Sequence, residues 1–228
     1  MPNKNIVLLV FALSEAAEVE HKPFLAKASL AAALQKHTRT IAEKSGLPVL
    51  YFDESNQHGP NFGARFANAM QHSYKQGYDA VIAIGSDCPH LQLHHLLRAK
   101  KALQEGKTVL GPTHDGGFYL LGLSKTEYRH HTFLKLSWNT DRIYDEVRAM
   151  LHHHQKEQLT LEKLRDLDFF AGLQKIALSR IKTRSLRKAV AKALQNDKTI
   201  FGLGPLKTSE IYNAAALNKG SPLSLPHF

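Results

Sequence analysis

Two short stretches carry residue types suited to chemistry. In AIGSDCPHL, Ala83 to Leu91, Asp87 follows an apolar run, with Gly85 and Ser86 before it and Pro89 behind it. In VLGPTHDGGFYLLGL, Val109 to Leu123, Asp115 stands against Gly116 and Gly117 between two apolar runs. A tight hairpin needs only two turn residues, so this longer cluster asks for another reason. Carboxylates are hard ligands, and two brought together can share Mg²⁺ or Mn²⁺ with the phosphates of a substrate. Gly116 and Gly117 remove side chains where a ligand would approach the backbone. Gly85 and Ser86 let the chain turn sharply and frame that ligand. The alternative for Asp87 is a cap on the next helix. His114 could serve as acid, base or phosphate contact, or be an exposed loop residue.

The elements around these stretches decide whether the two acids meet. Apolar runs at Ile6–Ala12, Val49–Phe52, Ala80–Ile84 and Thr108–Gly111 alternate with helical patterns at Ser29–Lys44, Phe62–Lys75 and Leu93–Gln104. That order predicts an α/β fold with a mostly parallel sheet and right-handed crossovers. Gly117–Leu123 then returns as a strand with no room for a helix before it, so it should run antiparallel. A helix over Thr140–His154, a short strand within Leu159–Asp168, and helices over Phe169–Leu178 and Leu186–Leu194 complete the pattern. Asp87 and Asp115 then both lie just past strand ends, where open α/β sheets hold ligands. We expect one domain over residues 1–195 and an extended tail over 196–228, rich in glycine and proline.

Composition narrows the class. The chain has 228 residues, 43% hydrophobic and 22% charged, with no apolar run near membrane length. The short first apolar run turns acidic at Glu15, Glu18 and Glu20, unlike a signal peptide, so a cytoplasmic protein is expected. Cys88 is the only cysteine, which excludes an internal disulfide and makes it a small buried hydrophobe by default. The net charge of +10 favours anionic partners. Eight of the basic residues fall between Lys175 and Lys198, which reads as a solvated helix face, or more sharply as a nucleic-acid or acidic-membrane patch. His90 and His94 stand four apart, a spacing that could hold zinc on one helix face, although surface histidines are the plainer reading.

IGSDCPHL and GPTHDGGFYLLGL together resemble a bacterial glycosyltransferase family of GT-A-type fold, the radical-SAM/selenodomain-associated transferase type. That family is related to molybdenum-cofactor guanylyltransferases and other nucleotide-sugar enzymes. Its G-x-D-x-P element matches Gly85–Pro89, and its G-P-x-x-D-G-G-aromatic-aromatic-L-x-G element matches Gly111–Gly122. Weaker matches are QHGPNFGAR, with Gln57, Gly59, Gly63 and Arg65; SWNT, with Trp138 and Thr140; and LRDLDFFAGL, with Asp166 and Asp168. The likeness runs from about Val49 to about Leu173.

The resemblance implies a three-layer αβα fold of nucleotide-diphosphosugar transferase type and a nucleotide-activated sugar or nucleotide as ligand. It implies that Asp87 contacts metal and nucleotide, that Asp115 is a second metal or acceptor-side acid, and that Trp138 walls the substrate pocket. Arg65, early in a helix preceded by Gln57 and Gly59, could meet an anion at that helix start or be a surface arginine. Nucleotidyl transfer is the alternative chemistry, and a catalytically diverged binding protein the alternative class. The chain departs from the family after its first strand. There the family carries a basic loop near K-T-R-L, and this chain has LSEAAEVEHKPFLAK, with three glutamates and only Lys22 and Lys27 to meet a phosphate.

Overall fold

The computed structural model describes residues 4–152, 157–168, 170–176 and 178–195. The tail expected over 196–228, and His153 and His154, lie outside the described residues. Strand β1 (Ile6–Phe11) is followed by helix α1 (Glu15–His21), a 3-10 segment over Pro23–Ser29 and α2 (Leu30–Lys44). Then come β2 (Val49–Phe52), α3 (Phe62–Lys75), β3 (Ala80–Ile84), α4 (Leu93–Gln104), β4 (Thr108–Pro112) and β5 (Phe118–Ser124). Helix α5 (His130–Leu134), α6 (Ile143–His152), β6 (Gln158–Thr160), α7 (Phe170–Gln174) and α8 (Arg184–Gln195) complete the order.

The six strands form one sheet in the order β2-β1-β3-β5-β4-β6. β5 pairs antiparallel with both β3 and β4, and the other pairings are parallel. The chain leaves a slot between β3 and β4 and fills it by reversing through residues 113–117. This is the reversal the missing helix before Phe118 predicts.

Burial on both faces explains the continuous apolar runs. Ile6, Leu8 and Val10 point to one face with Ile82, Leu96 and Leu103. Val7, Leu9 and Phe11 point to the other, with Phe66, Met70, Phe133 and Val147. Helices α2 and α4 cover the first face, and α3, α5 and α6 the second, giving three layers. A third apolar cluster joins Leu30 and Leu34 of α2 to Leu186 and Val190 of α8. No helix among the described residues is long and apolar enough to cross a membrane.

The structure departs from the sequence expectation at α5 (His130–Leu134), which no pattern predicts, and at α1 and α6. α1 occupies the stretch after β1 that the periodicity left as a loop. Ser14 caps it, its hydroxyl accepting from Ala17 N–H at 3.3 Å, and Pro23 closes it. α6 begins at Ile143 rather than Thr140, and Asn139 before it takes a left-handed backbone with φ 61°.

Candidate functional site

The parallel order reverses between β1 and β3, with β2 on one side and the remaining strands on the other. Chains leaving the ends of these two strands diverge and open a crevice. A cavity of about 580 Å³ lies there, within the usual size for small-molecule sites.

Asp87, Asp115 and Asp168 all line it, with Glu18 and Lys22 from the α1 side. Gln57, Gly59, Arg65, Gly85, Ser86, Gly117 and Trp138 also line it, so most residues singled out by sequence meet at one place. His114 and Gly116 are not among the lining residues. His114 is exposed, and its imidazole pKa is lowered by partial desolvation and by the charges of Arg165 and Lys163.

Each acid is positioned by backbone. Asp87 sits beyond β3 in the loop to α4. Gln92 is the N-cap of α4, so Asp87 is not the cap. Asp115 Oδ1 accepts from the Gly117 N–H at 3.0 Å and from the Thr113 hydroxyl. The segment after β6 then delivers two more carboxylates. Leu161 N–H donates to Leu110 O, Leu164 N–H to Pro112 O and Leu167 N–H to Asp87 O, at 2.8, 3.0 and 3.0 Å. These bonds carry the chain along β4 and across to the Asp87 loop. Asp166 and Asp168 are thereby brought to Asp115, with one oxygen from each of the three within 4.8 Å of the others.

The glycines serve the chain's own packing. Gly116 has φ 92°, and a β-carbon there would lie 2.0 Å from the Asp141 carbonyl oxygen. A β-carbon on Gly117 would lie 2.9 Å from Thr113 Oγ1 and 3.3 Å from Asp115 Oδ1. Gly116 thus lets the loop fold tightly around Asp115 rather than clear a path for a ligand, while Gly117 does so and also lines the cavity. Gly63 is similar, lying beneath the Trp138 indole. Gln57 also braces the scaffold, its amide donating to Ala12 O and Phe52 O at 3.3 and 2.9 Å, at the ends of β1 and β2.

The electrostatics centre on Lys22. Its Nζ lies 2.8 Å from Asp168 Oδ1 and 3.2 Å from Asp87 Oδ2, and the residue is 8% exposed. Burial alone would lower an ammonium pKa, but the flanking carboxylates outweigh it and raise the Lys22 pKa. Burial, with Asp87, Asp168 and Asp115 close by, pushes the Asp166 carboxyl up to about 8. Asp168 and Glu18 are raised too, with burial the largest cause in each. Such crowding of acids stores unfavourable charge that a bound cation would relieve. Three all-oxygen ligands at this separation fit a hard divalent ion.

The sequence does contain a signal for α1: Ser14 as cap, Glu15 and Glu18 in the first turn and Pro23 as stop. What it does not contain is the pairing of Lys22 with acids 65 and 146 residues away.

The zinc reading of His90 and His94 fails, and the buried-hydrophobe reading of Cys88 agrees with the structure. His90 and His94 do not share a helix face, since α4 starts at Leu93. His94, His95 and Glu162 do come together. However, His95 Nδ1 accepts from Gln92 N–H at 2.9 Å, so its Nε2 carries the ring proton and offers no lone pair to a metal. Cys88 is buried, its Sγ 3.5 Å from Arg165 O, and burial raises its thiol pKa well above the ordinary value. That suits packing rather than nucleophilic attack.

The fold superposes on that of a protein from Desulfovibrio desulfuricans G20 described as a candidate nucleotide-diphospho-sugar transferase, with TM-score 0.64 and 23% identity, over 87% of this chain and 97% of that one. The chain belongs to a family described as uncharacterized proteins conserved in bacteria (DUF2064), whose pattern matches residues 22–140. More distant overlaps include Rv0371c of Mycobacterium tuberculosis H37Rv in complex with manganese (TM-score 0.42, 13% identity, 75% of this chain and 97% of that one). Another is a cytidylyltransferase from Leptospira borgpetersenii serovar Hardjo-bovis (TM-score 0.41, 11% identity, 90% and 99%). No curated protein matches the sequence.

Proposed function

We propose that this protein is a metal-dependent transferase acting on a nucleotide-activated sugar, with Mg²⁺ or Mn²⁺ held by Asp115, Asp166 and Asp168 and flanked by Asp87. The observation that carries this reading is the convergence of those three carboxylates within 4.8 Å beside a 580 Å³ cavity at the sheet's switch point. A divalent ion bound there would neutralise the donor's diphosphate and the charge developing on the leaving phosphate.

The chain's own residues supply the rest. Lys22 keeps Asp87 and Asp168 fixed. Arg65 brings positive charge to the far wall, beside Phe62 and Trp138, whose rings give the cavity an apolar side against which a sugar or base can stack. Asp115, held through one oxygen by Thr113 and Gly117, is the candidate acceptor-side base. Nucleotidyl transfer would use the same parts, and the products distinguish the two.

The test is thermal stabilisation by UDP-, GDP- and CDP-linked donors with Mn²⁺. A ligand at 100 times its Kd stabilises by about 2.7 kcal/mol, a shift of several degrees for a chain of this size. Stabilisation that needs both metal and nucleotide, and that is lost in Asp115→Asn, is the expected result. No shift across the panel would remove the proposal.

A further inference from the structure

We propose that the Lys22 ammonium is a built-in cation of this site, filling the position between Asp87 and Asp168 that a second divalent ion would otherwise take. This rests on the metal reading above. Lys22 is the last residue before Pro23, at the C-terminal end of α1, with its backbone N–H donating to Glu18 O at 2.7 Å. Its side chain leaves the helix and enters the cavity wall, where Glu18, Asp87 and Asp168 surround it.

Three features separate this from an ordinary surface ion pair. Lys22 is nine-tenths buried, so its charge must be compensated internally. Its carboxylate partners come from opposite parts of the chain, the loop after β3 and the segment after β6. Asp168 also belongs to the group with Asp115 and Asp166. One carboxylate therefore faces two cation positions. That arrangement resembles the shared ligand of a two-metal centre, with an ammonium in one of the two places.

A lysine there has a chemical consequence. An ammonium carries one charge, exchanges with nothing and needs no metal supply. It leaves the neighbouring position as the single place for a divalent ion, and it holds Asp87 and Asp168 at 3.2 and 2.8 Å from nitrogen, wider than the roughly 2.0–2.1 Å of a bound Mg²⁺. Asp87 is thus a ligand of Lys22 first. This also explains how an acidic first loop is tolerated: Glu18 faces the ammonium, so the loop's one buried cation offsets acids already present.

Counting bound Mn²⁺ by electron paramagnetic resonance of the free ion tests this. The unaltered protein is expected to bind one ion, Lys22→Met two, and Lys22→Arg, which keeps the charge, one. If Lys22→Met binds no more ions than the unaltered protein, the Lys22 proposal is overturned while the metal reading stands. If the unaltered protein binds none, the metal reading falls and the Lys22 proposal, which rests on it, falls too. Should Lys22→Met fail to fold in metal-free buffer, recovery of its fold on adding Mn²⁺ counts for the proposal, and failure to recover counts against it.

Discussion

The Trp138 indole lies against Gly63 so closely that a β-carbon at position 63 would sit 2.2 Å from indole Cδ1 and 2.6 Å from Nε1. The indole N–H in turn donates to Phe133 O at 2.6 Å, and the ring packs on Phe62 and Phe66. A single glycine in the first turn of α3 therefore sets the position of the cavity's aromatic wall.

Gly63→Ala should displace Trp138. Overpacking of this kind costs about 1–3 kcal/mol, although alanine suits the helix itself. The expected outcome is a lower Tm with altered tryptophan fluorescence and an unchanged far-ultraviolet spectrum. An unchanged emission spectrum would show that the indole does not depend on Gly63.

Removing one acid from the Asp115, Asp166 and Asp168 group should weaken Mn²⁺ binding by tenfold or more. Asp166→Asn and Asp168→Asn are the informative pair, because Asp168→Asn also strips Lys22 of its nearer partner. Asp168→Asn should therefore lower stability more than Asp166→Asn. His114→Ala, outside the cavity, should leave Mn²⁺ affinity within about twofold. Titration calorimetry on the three variants reads these differences.

His95 predicts a pH effect remote from the site. Burial, then the neighbouring His94, lowers its pKa from an ordinary 6.5 to about 4. A protonated Nδ1 would also face the Gln92 N–H that it now accepts. In the unfolded chain His95 takes up its proton near pH 6.5, whereas in the folded state it does so only near pH 4. Between these values the unfolded state binds more protons, so stability falls as pH drops from about 6.5 to 4. His95→Gln should flatten that part of the stability curve in urea titrations. A curve with the same slope in the variant would place the dependence elsewhere.

The basic face of α8 is solvated and its apolar face is spent on the fold. Leu186 and Val190 are fully buried against α2 and the 3-10 segment, while Arg184, Arg187, Lys188 and Lys192 are exposed. Leu186→Ala should cost about 2–5 kcal/mol, and Arg187→Glu no more than about 0.5 kcal/mol. Because the apolar stripe is not free to insert in a bilayer, any binding to anionic vesicles should vanish as salt rises. Sedimentation with vesicles at low and high salt checks this.

The strands and most helices were legible because their signal is local. Ala80–Ile84 reads as a two-sided buried strand, and Phe62, Phe66 and Met70 mark one helix face. Asp87 and Asp115 could be placed at one sheet edge from element order alone. The partners of those acids were not legible. Asp166 and Asp168 reach the site only through backbone bonds to Leu110, Pro112 and Asp87, and no periodicity encodes such docking. Lys22 read as a phosphate ligand because its neighbours in sequence say nothing about Asp168. Gly116 read as room for a ligand, and the structure fills that room with the Asp141 carbonyl.

The antiparallel strand β5 has a consequence for how the molecule comes into being. β1 to β5 pair among themselves, and β6 adds at the outer edge of β4. A nascent chain can thus assemble most of its sheet, with Asp87 and Asp115 in place, before residue 168 emerges. Until then Lys22 lacks its nearer counter-charge. Completion of the charge trap thus follows assembly of most of the sheet, so a chain released before residue 168 would hold Asp87 and Asp115 and lack the acids that gather around them.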